Sequence, residues 1–179
     1  MYTKYLLPTL FILGFIFTSC GESKSKNPHR ISAWEKEVEN VLQRASFIDT
    51  TGQEVYVADF KGKVLLVDFW ETWCSPCLAV FPAMDSLRQE YPEDFEVLTV
   101  NLQSADNPQD VKAFIEENGY DFNYSLDVNG VSDEVITMGI PFKIFFDPDG
   151  HLIKAEVGTS GTERDYQKTK VIIEDNKKS

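Results

Sequence analysis

Val64-Leu65-Leu66-Val67-Asp68-Phe69-Trp70 is apolar at every position but one. A run without alternation is the pattern of a strand buried on both faces. Lys61-Gly62-Lys63 in front of it reads as a turn, and Asp49-Thr50-Thr51-Gly52 reads as an earlier one, with Glu54 to Val57 as strand between them. Behind the apolar run a helix is expected from Cys74 to about Glu90, kinked at Pro82 and ending before Pro92. Phe95 to Leu102 is the next strand. Asn107 then caps a helix with Pro108 in first position, Val111, Phe114 and Ile115 on its apolar face, and Gly119 at its end. Phe122 to Leu126 suggests a short strand, Ser132 to Thr137 a short helix and Phe142 to Phe146 a strand. Asp147-Pro148-Asp149-Gly150 turns that strand into a hairpin with His151 to Val157, and Thr162 is expected to cap a last helix that frays into Lys177-Lys178. Upstream, Trp34, Val38, Val41, Leu42 and Ala45 recur at helical spacing, although the later part of this stretch is also compatible with strand. The order implies an α/β fold: one central mixed sheet with helices on both faces.

The first residues belong to a different kind of segment. Lys4 gives a positive start, Tyr5 to Phe17 a short apolar core, and Thr18-Ser19 small residues in front of Cys20. The apolar stretch is shorter than the ~20 residues of a membrane-spanning helix and fits a secretory signal over 1–19. A cysteine directly after small residues resembles a bacterial lipoprotein box, which implies cleavage before Cys20 and lipid on Cys20. Phe17 stands where such boxes usually carry Leu, and an uncleaved anchor is the alternative. Either way the body of the protein is expected outside the cytoplasm, on a membrane. Residues 20–45 then comprise the anchor, a polar tether and the N-terminal segment, and 46–179 the folded domain. The 179-residue chain carries a net charge of −12, which becomes −13 without Lys4. That balance argues against nucleic acid as a partner.

The candidate chemistry sits directly behind the apolar run, in Trp73-Cys74-Ser75-Pro76-Cys77. Two thiols separated by two residues at a strand-to-helix junction can close and open a disulfide. Amides at a helix start stabilise negative charge, so Cys74 is expected to be the attacking thiolate and Cys77, one turn deeper, the resolving thiol. Pro76 has no N–H and suits a first helical turn. A zinc site is not expected, because zinc takes about four ligands and the remaining candidates are Cys20, His29 and His151, without ligand spacing. A purely structural disulfide is the other alternative, but so small a loop restrains the unfolded chain little.

At these residues the chain resembles the thioredoxin superfamily, and within it the TlpA/ResA-type membrane-tethered thiol–disulfide oxidoreductases. The resemblance runs from about Phe47 to about Gly161. It is carried by Gly52-Gln53-Glu54-Val55, Ala58-Asp59-Phe60-Lys61-Gly62-Lys63, Val67-Asp68-Phe69-Trp70, the C-x-x-C motif, Pro82 and Gly139-Ile140-Pro141. It implies a thioredoxin-like fold with an N-terminal extension and a strand–helix insertion within Phe95 to Met138. It implies that Asp68, six residues before Cys74, is a buried acid of raised pKa that exchanges a proton with Cys77; a structural acid at a strand end is the alternative. It implies a cis Pro141 facing the cysteines and leaving the Ile140 backbone open to a substrate strand. Trp73, Ser75 and Pro76 would complete the substrate face, with Trp70 in the core. Two departures stand out: Glu71, where relatives carry a small residue, is expected to be solvated and without effect, the alternative being a nearby negative charge that raises the Cys74 pKa and slows attack, and Phe142, where relatives carry Thr, is expected to make the groove more apolar. Thr72-Trp73-Cys74 does not supply a peroxiredoxin signature.

The function implied is reduction of disulfides in particular partner proteins, such as apocytochrome c or metal-site assembly proteins, through a Cys74/Cys77 dithiol–disulfide cycle. No cofactor enters it. A membrane electron donor would reduce the pair again. An oxidase or isomerase would use the same residues, and a binding module on the same fold would need neither thiol.

Overall fold

The computed structural model describes Met1 and residues 30–178. Cys20 and the expected signal and tether lie outside the described residues, apart from Met1. The elements follow in the order α1 (Ala33–Leu42), β1 (Phe47–Asp49), β2 (Glu54–Val55), a 3-10 turn (Val57–Phe60), β3 (Val64–Trp70), α2 (Ser75–Leu78), α3 (Phe81–Glu90), β4 (Phe95–Asn101), α4 (Pro108–Asn118), β5 (Asn123–Leu126), α5 (Val131–Val135), β6 (Phe142–Phe146), β7 (Leu152–Val157) and α6 (Thr162–Asn176). The seven strands form one mixed sheet in the order β2-β1-β5-β4-β3-β6-β7. β3 pairs in parallel with β4 and antiparallel with β6, which places it in the interior of the sheet. The fold is thioredoxin-like.

Alternation along β3 divides the core in two. Val64, Leu66 and Trp70 join Val80, Phe81, Met84 and Leu87 of the α2–α3 region, with Val111 of α4 and Ile173 of α6. Leu65, Val67 and Phe69 face the other side, against Val38, Val41 and Leu42 of α1 and Val131 and Val135 of α5. Asp68, by the same alternation, shares the face of Leu66 and Trp70. Helices therefore cover both faces, as the sequence pattern implied.

Most boundaries follow from local chemistry. Asn107 Oδ1 accepts from the Gln109 and Asp110 amides, and Gly119 closes α4 in the left-handed region at φ +68. The ambiguity before Ala45 resolves as helix, with a Ser32–Glu35 capping box. Three expectations change. The strand expected over Glu54–Val57 stops at Val55 and gives way to the 3-10 turn. The kinked helix from Cys74 is two helices, broken at Ala79-Val80. Pro82 has no N–H to give the Leu78 carbonyl, so it opens a new helix instead of bending the old one. Thr162 does not cap α6; it is that helix's first residue, and its hydroxyl donates to the Ala79 carbonyl (2.7 Å). The last helix is thereby fastened to the break behind the cysteines.

Candidate active site

β3 delivers its carboxyl end into a short loop, and α2 starts at Ser75 with Cys74 as its N-cap. Cys74 and Cys77 are joined in a disulfide with Cα atoms 5.3 Å apart. With only four residues, α2 carries little dipole; the stabilising group is a single amide, the Cys77 N–H, which points at Cys74 Sγ from 3.3 Å. Cys74 is 2% exposed and Cys77 is fully buried, so the helix start is more shielded than its position in sequence suggests. What is open is the rim: Trp73 at 60%, with Ser75 and Pro76 also exposed. The Ile140–Pro141 bond is cis. Ile140 is half-buried and packs against the cluster that contains both cysteines, while Pro141 is buried. Trp70 lies in the core, its ring 5.2 Å from Phe81 and 4.7 Å from Phe114.

Asp68 has no exposed surface, and neither carboxyl oxygen takes a hydrogen bond. Its cross-strand neighbour on β6 is Lys143, whose own neighbour on β7 is Glu156. The Lys143 ammonium is buried and pairs with Asp165 of α6 (2.9 Å) and Glu156 (3.4 Å). Burial pushes the Asp68 carboxyl up to about 7, against the pull of Lys143, with Asp165 and Glu156 adding to the rise. Burial also acts on Asp165, but hydrogen bonds from Thr159, Lys143 and the Ser160 amide hold it below the usual carboxylate range. Lys143, Glu156 and Asp165 were not singled out from the sequence. The signal was there: Phe142 to Phe146, like Val64 to Trp70, is an apolar run broken by one charge.

Both departures from the family pattern turn out differently from expectation. Glu71 is not solvated but fully buried, and accepts hydrogen bonds from the Trp73 indole, the Ser104 amide and hydroxyl, and the Ala105 amide. Phe142 does not line a groove. It points into the second core, with its ring centroid 6.1 Å from that of Phe69 and 5.9 Å from that of Trp34. Among the described residues no cluster of His, Cys, Asp and Glu is placed to hold a metal ion, and no helix is long and apolar enough to cross a membrane.

This geometry has known counterparts. The thioredoxin-like protein YneN of Bacillus subtilis is 34% identical over 110 residues, covering 61% of this chain and 65% of that protein. The thiol–disulfide oxidoreductase ResA of the same organism is 30% identical over 113 residues, 62% of each chain. The matched segments thus span just under two thirds of these two relatives. The pneumococcal exposed lipoprotein thioredoxin Etrx1 of Streptococcus pneumoniae superposes with a TM-score of 0.59 at 26% identity, over 71% of this chain and 98% of its own. The AhpC/TSA family model matches residues 37–178. The chain belongs to the AhpC/TSA family, and the relatives it is similar to include thioredoxin-like proteins and thiol–disulfide oxidoreductases.

Proposed function

We propose that the chain is an extracytoplasmic thiol–disulfide oxidoreductase that reduces disulfides in specific partner proteins and is tethered to the membrane through lipid on Cys20. The observation that carries this reading is the Cys74–Cys77 disulfide just past the end of β3, with the exposed Trp73 next to it in the chain and Ile140, which precedes the cis Pro141, packed against the core cluster that holds both cysteines. The similar Streptococcus protein is an exposed lipoprotein, which supports the same location for this chain.

In the cycle, the Cys74 thiolate attacks one sulfur of a substrate disulfide. A mixed disulfide forms, and the first substrate sulfur leaves as a thiolate that takes up a proton. Cys77, deprotonated as Asp68 accepts its proton, attacks Cys74 Sγ; the mixed disulfide breaks and the second substrate thiolate leaves and is protonated. Two electrons pass from the cysteine pair to the substrate. A membrane-borne dithiol donor returns them, and the protein's own disulfide is the state that awaits it. The partners envisaged are secreted proteins whose cysteines must be reduced before haem or metal insertion.

Cys77→Ser tests the scheme. The reduced variant, offered to membrane extracts of its host, should accumulate a mixed disulfide through Cys74 that dithiothreitol releases and that Cys74→Ser does not form. Absence of any such adduct, in a variant that folds, would overturn the reading. Direction of flow is read from the reduction potential of the wild-type pair. A value near about −270 mV marks a reductant and one near about −120 mV an oxidant.

A further inference from the structure

The segment before Cys74 and the segment after β4 are fastened to each other by two carboxylates reaching in opposite directions. Glu71 reaches from the active-site side to Ser104 and Ala105. Asp106 reaches back from the other side, accepting from the Thr72 amide and hydroxyl (both 2.6 Å) and from Asn101 Nδ2 (2.7 Å). The chain between them bends through Gln103, a non-glycine residue at φ +60 whose amide is held by Asn101 Oδ1 (3.0 Å). A non-glycine residue in this region needs surrounding structure to keep it there. That bend is part of the segment that presents the Ser104 and Ala105 amides to Glu71.

The four hydrogen bonds of Glu71 are divided unequally. Oε1 takes the Ser104 amide (2.7 Å), the Ser104 hydroxyl (2.8 Å) and the Ala105 amide (2.9 Å). Oε2 takes the Trp73 indole N–H. A buried carboxylate is tolerated only with its acceptor sites filled, so three loop donors hold the acid and one oxygen is left to hold the tryptophan. Trp73 is 60% exposed and stacks on no other aromatic ring among the described residues. Fixed by one hydrogen bond, it presents a large exposed apolar face at the residue directly before the attacking cysteine. A rigid aromatic loses little freedom when a partner docks on it.

We propose that Glu71 is a positioning residue that fixes the Trp73 indole as a preformed docking face for protein substrates beside Cys74. This rests on the reading of the chain as a reductant of protein disulfides. A small disulfide needs only the sulfur, whereas a folded or extended polypeptide must also cover the indole.

Glu71→Gln separates the two halves of the network. The amide oxygen can keep the three loop donors, while its N–H meets the indole N–H donor to donor. In ¹⁵N-labelled protein, three indole N–H signals are expected from three tryptophans, and the one lost in Trp73→Phe is that of Trp73. In Glu71→Gln this signal should move and its heteronuclear NOE should fall, with the other two unchanged. With dithiothreitol as the dithiol donor, KM for insulin should rise about fivefold, the order of effect from losing the pre-ordering of one side chain. The turnover number for insulin, and the rate with 5,5′-dithiobis(2-nitrobenzoate), should stay within about twofold. An unmoved indole signal, an unchanged KM, or an equal fall with both substrates would each overturn the proposal. If wild-type protein reduces neither substrate, it is the reading of function that fails, and the indole signal still decides whether Glu71 holds Trp73.

Discussion

Asp68 lies within β3 and Glu71 directly follows its last residue, both without exposed surface, and the fold treats them in opposite ways. Glu71 is surrounded by donors, three of them from a loop more than thirty positions away. Asp68 has no hydrogen bond at all, and its nearest compensation is the Lys143 charge, already engaged by Asp165 and Glu156. A carboxyl group with filled acceptors is a structural fastener. One that is desolvated and unsatisfied is a proton store, because burial favours its neutral form. The family signature points to the second and is silent about the first. The difference lies in what faces each group: two backbone amides, a hydroxyl and an indole for Glu71, a single shared ammonium for Asp68.

The largest expected effect comes from breaking the compensation on the Asp68 side. Lys143→Met leaves Asp165 and Glu156 without their buried cation, and should destabilise the oxidised protein by about 3–5 kcal/mol in chemical denaturation. It also removes the one charge that lowers the Asp68 carboxyl, so the pH midpoint of any Asp68-dependent step should move upward. Unchanged stability and an unchanged midpoint would show that Lys143 does not sense the acid.

Asp68→Asn addresses the proton store itself. The carboxyl's folded value, about 7, lies above its unfolded value of 3.8. Between these values the folded state binds more protons than the unfolded state. Its contribution to stability is therefore complete below about pH 4 and is lost as pH rises through about 7, a change on the order of 4 kcal/mol as an upper bound. The difference in unfolding free energy between Asp68→Asn and wild type should accordingly grow in the variant's favour from pH 4 to pH 7. Above about pH 7, where the wild-type carboxyl is ionised, the variant should resolve mixed disulfides about a hundredfold more slowly, the usual scale for loss of a positioned general base, and the deficit should shrink as pH falls toward 4 and wild-type Asp68 becomes protonated. A flat difference curve would mean that Asp68 is ionised throughout.

The smallest effect belongs to the fastened side. Thr72→Val removes one of the three donors to Asp106 and leaves the amide bond from the same residue in place. It should cost about 1 kcal/mol, with the pH dependence of stability between 4 and 7 unaltered. A change in that pH dependence would mean that the two carboxyl systems are coupled and the contrast between them is false.

Much of the molecule is legible in the chain. The Val64–Trp70 strand, the Asn107–Gly119 helix and the Phe142–Val157 hairpin are written in local terms: apolar runs, a cap followed by proline, glycine where φ turns positive. So is the cysteine pair, because a strand-to-helix junction fixes two thiols three residues apart in one turn. What the sequence could not specify was whether a charged residue inside or beside such a run is solvated, paired or stranded. Glu71 is buried because Ser104 and Ala105 come to it, and Lys143 is buried because β3, β6 and β7 align Asp68, Lys143 and Glu156 in one cross-strand row while α6 brings Asp165 over it. Local pattern determines elements through short-range sterics and hydrogen bonds; the environment of a charge is set by partners distant in sequence, and only the assembled tertiary structure decides which of them arrive.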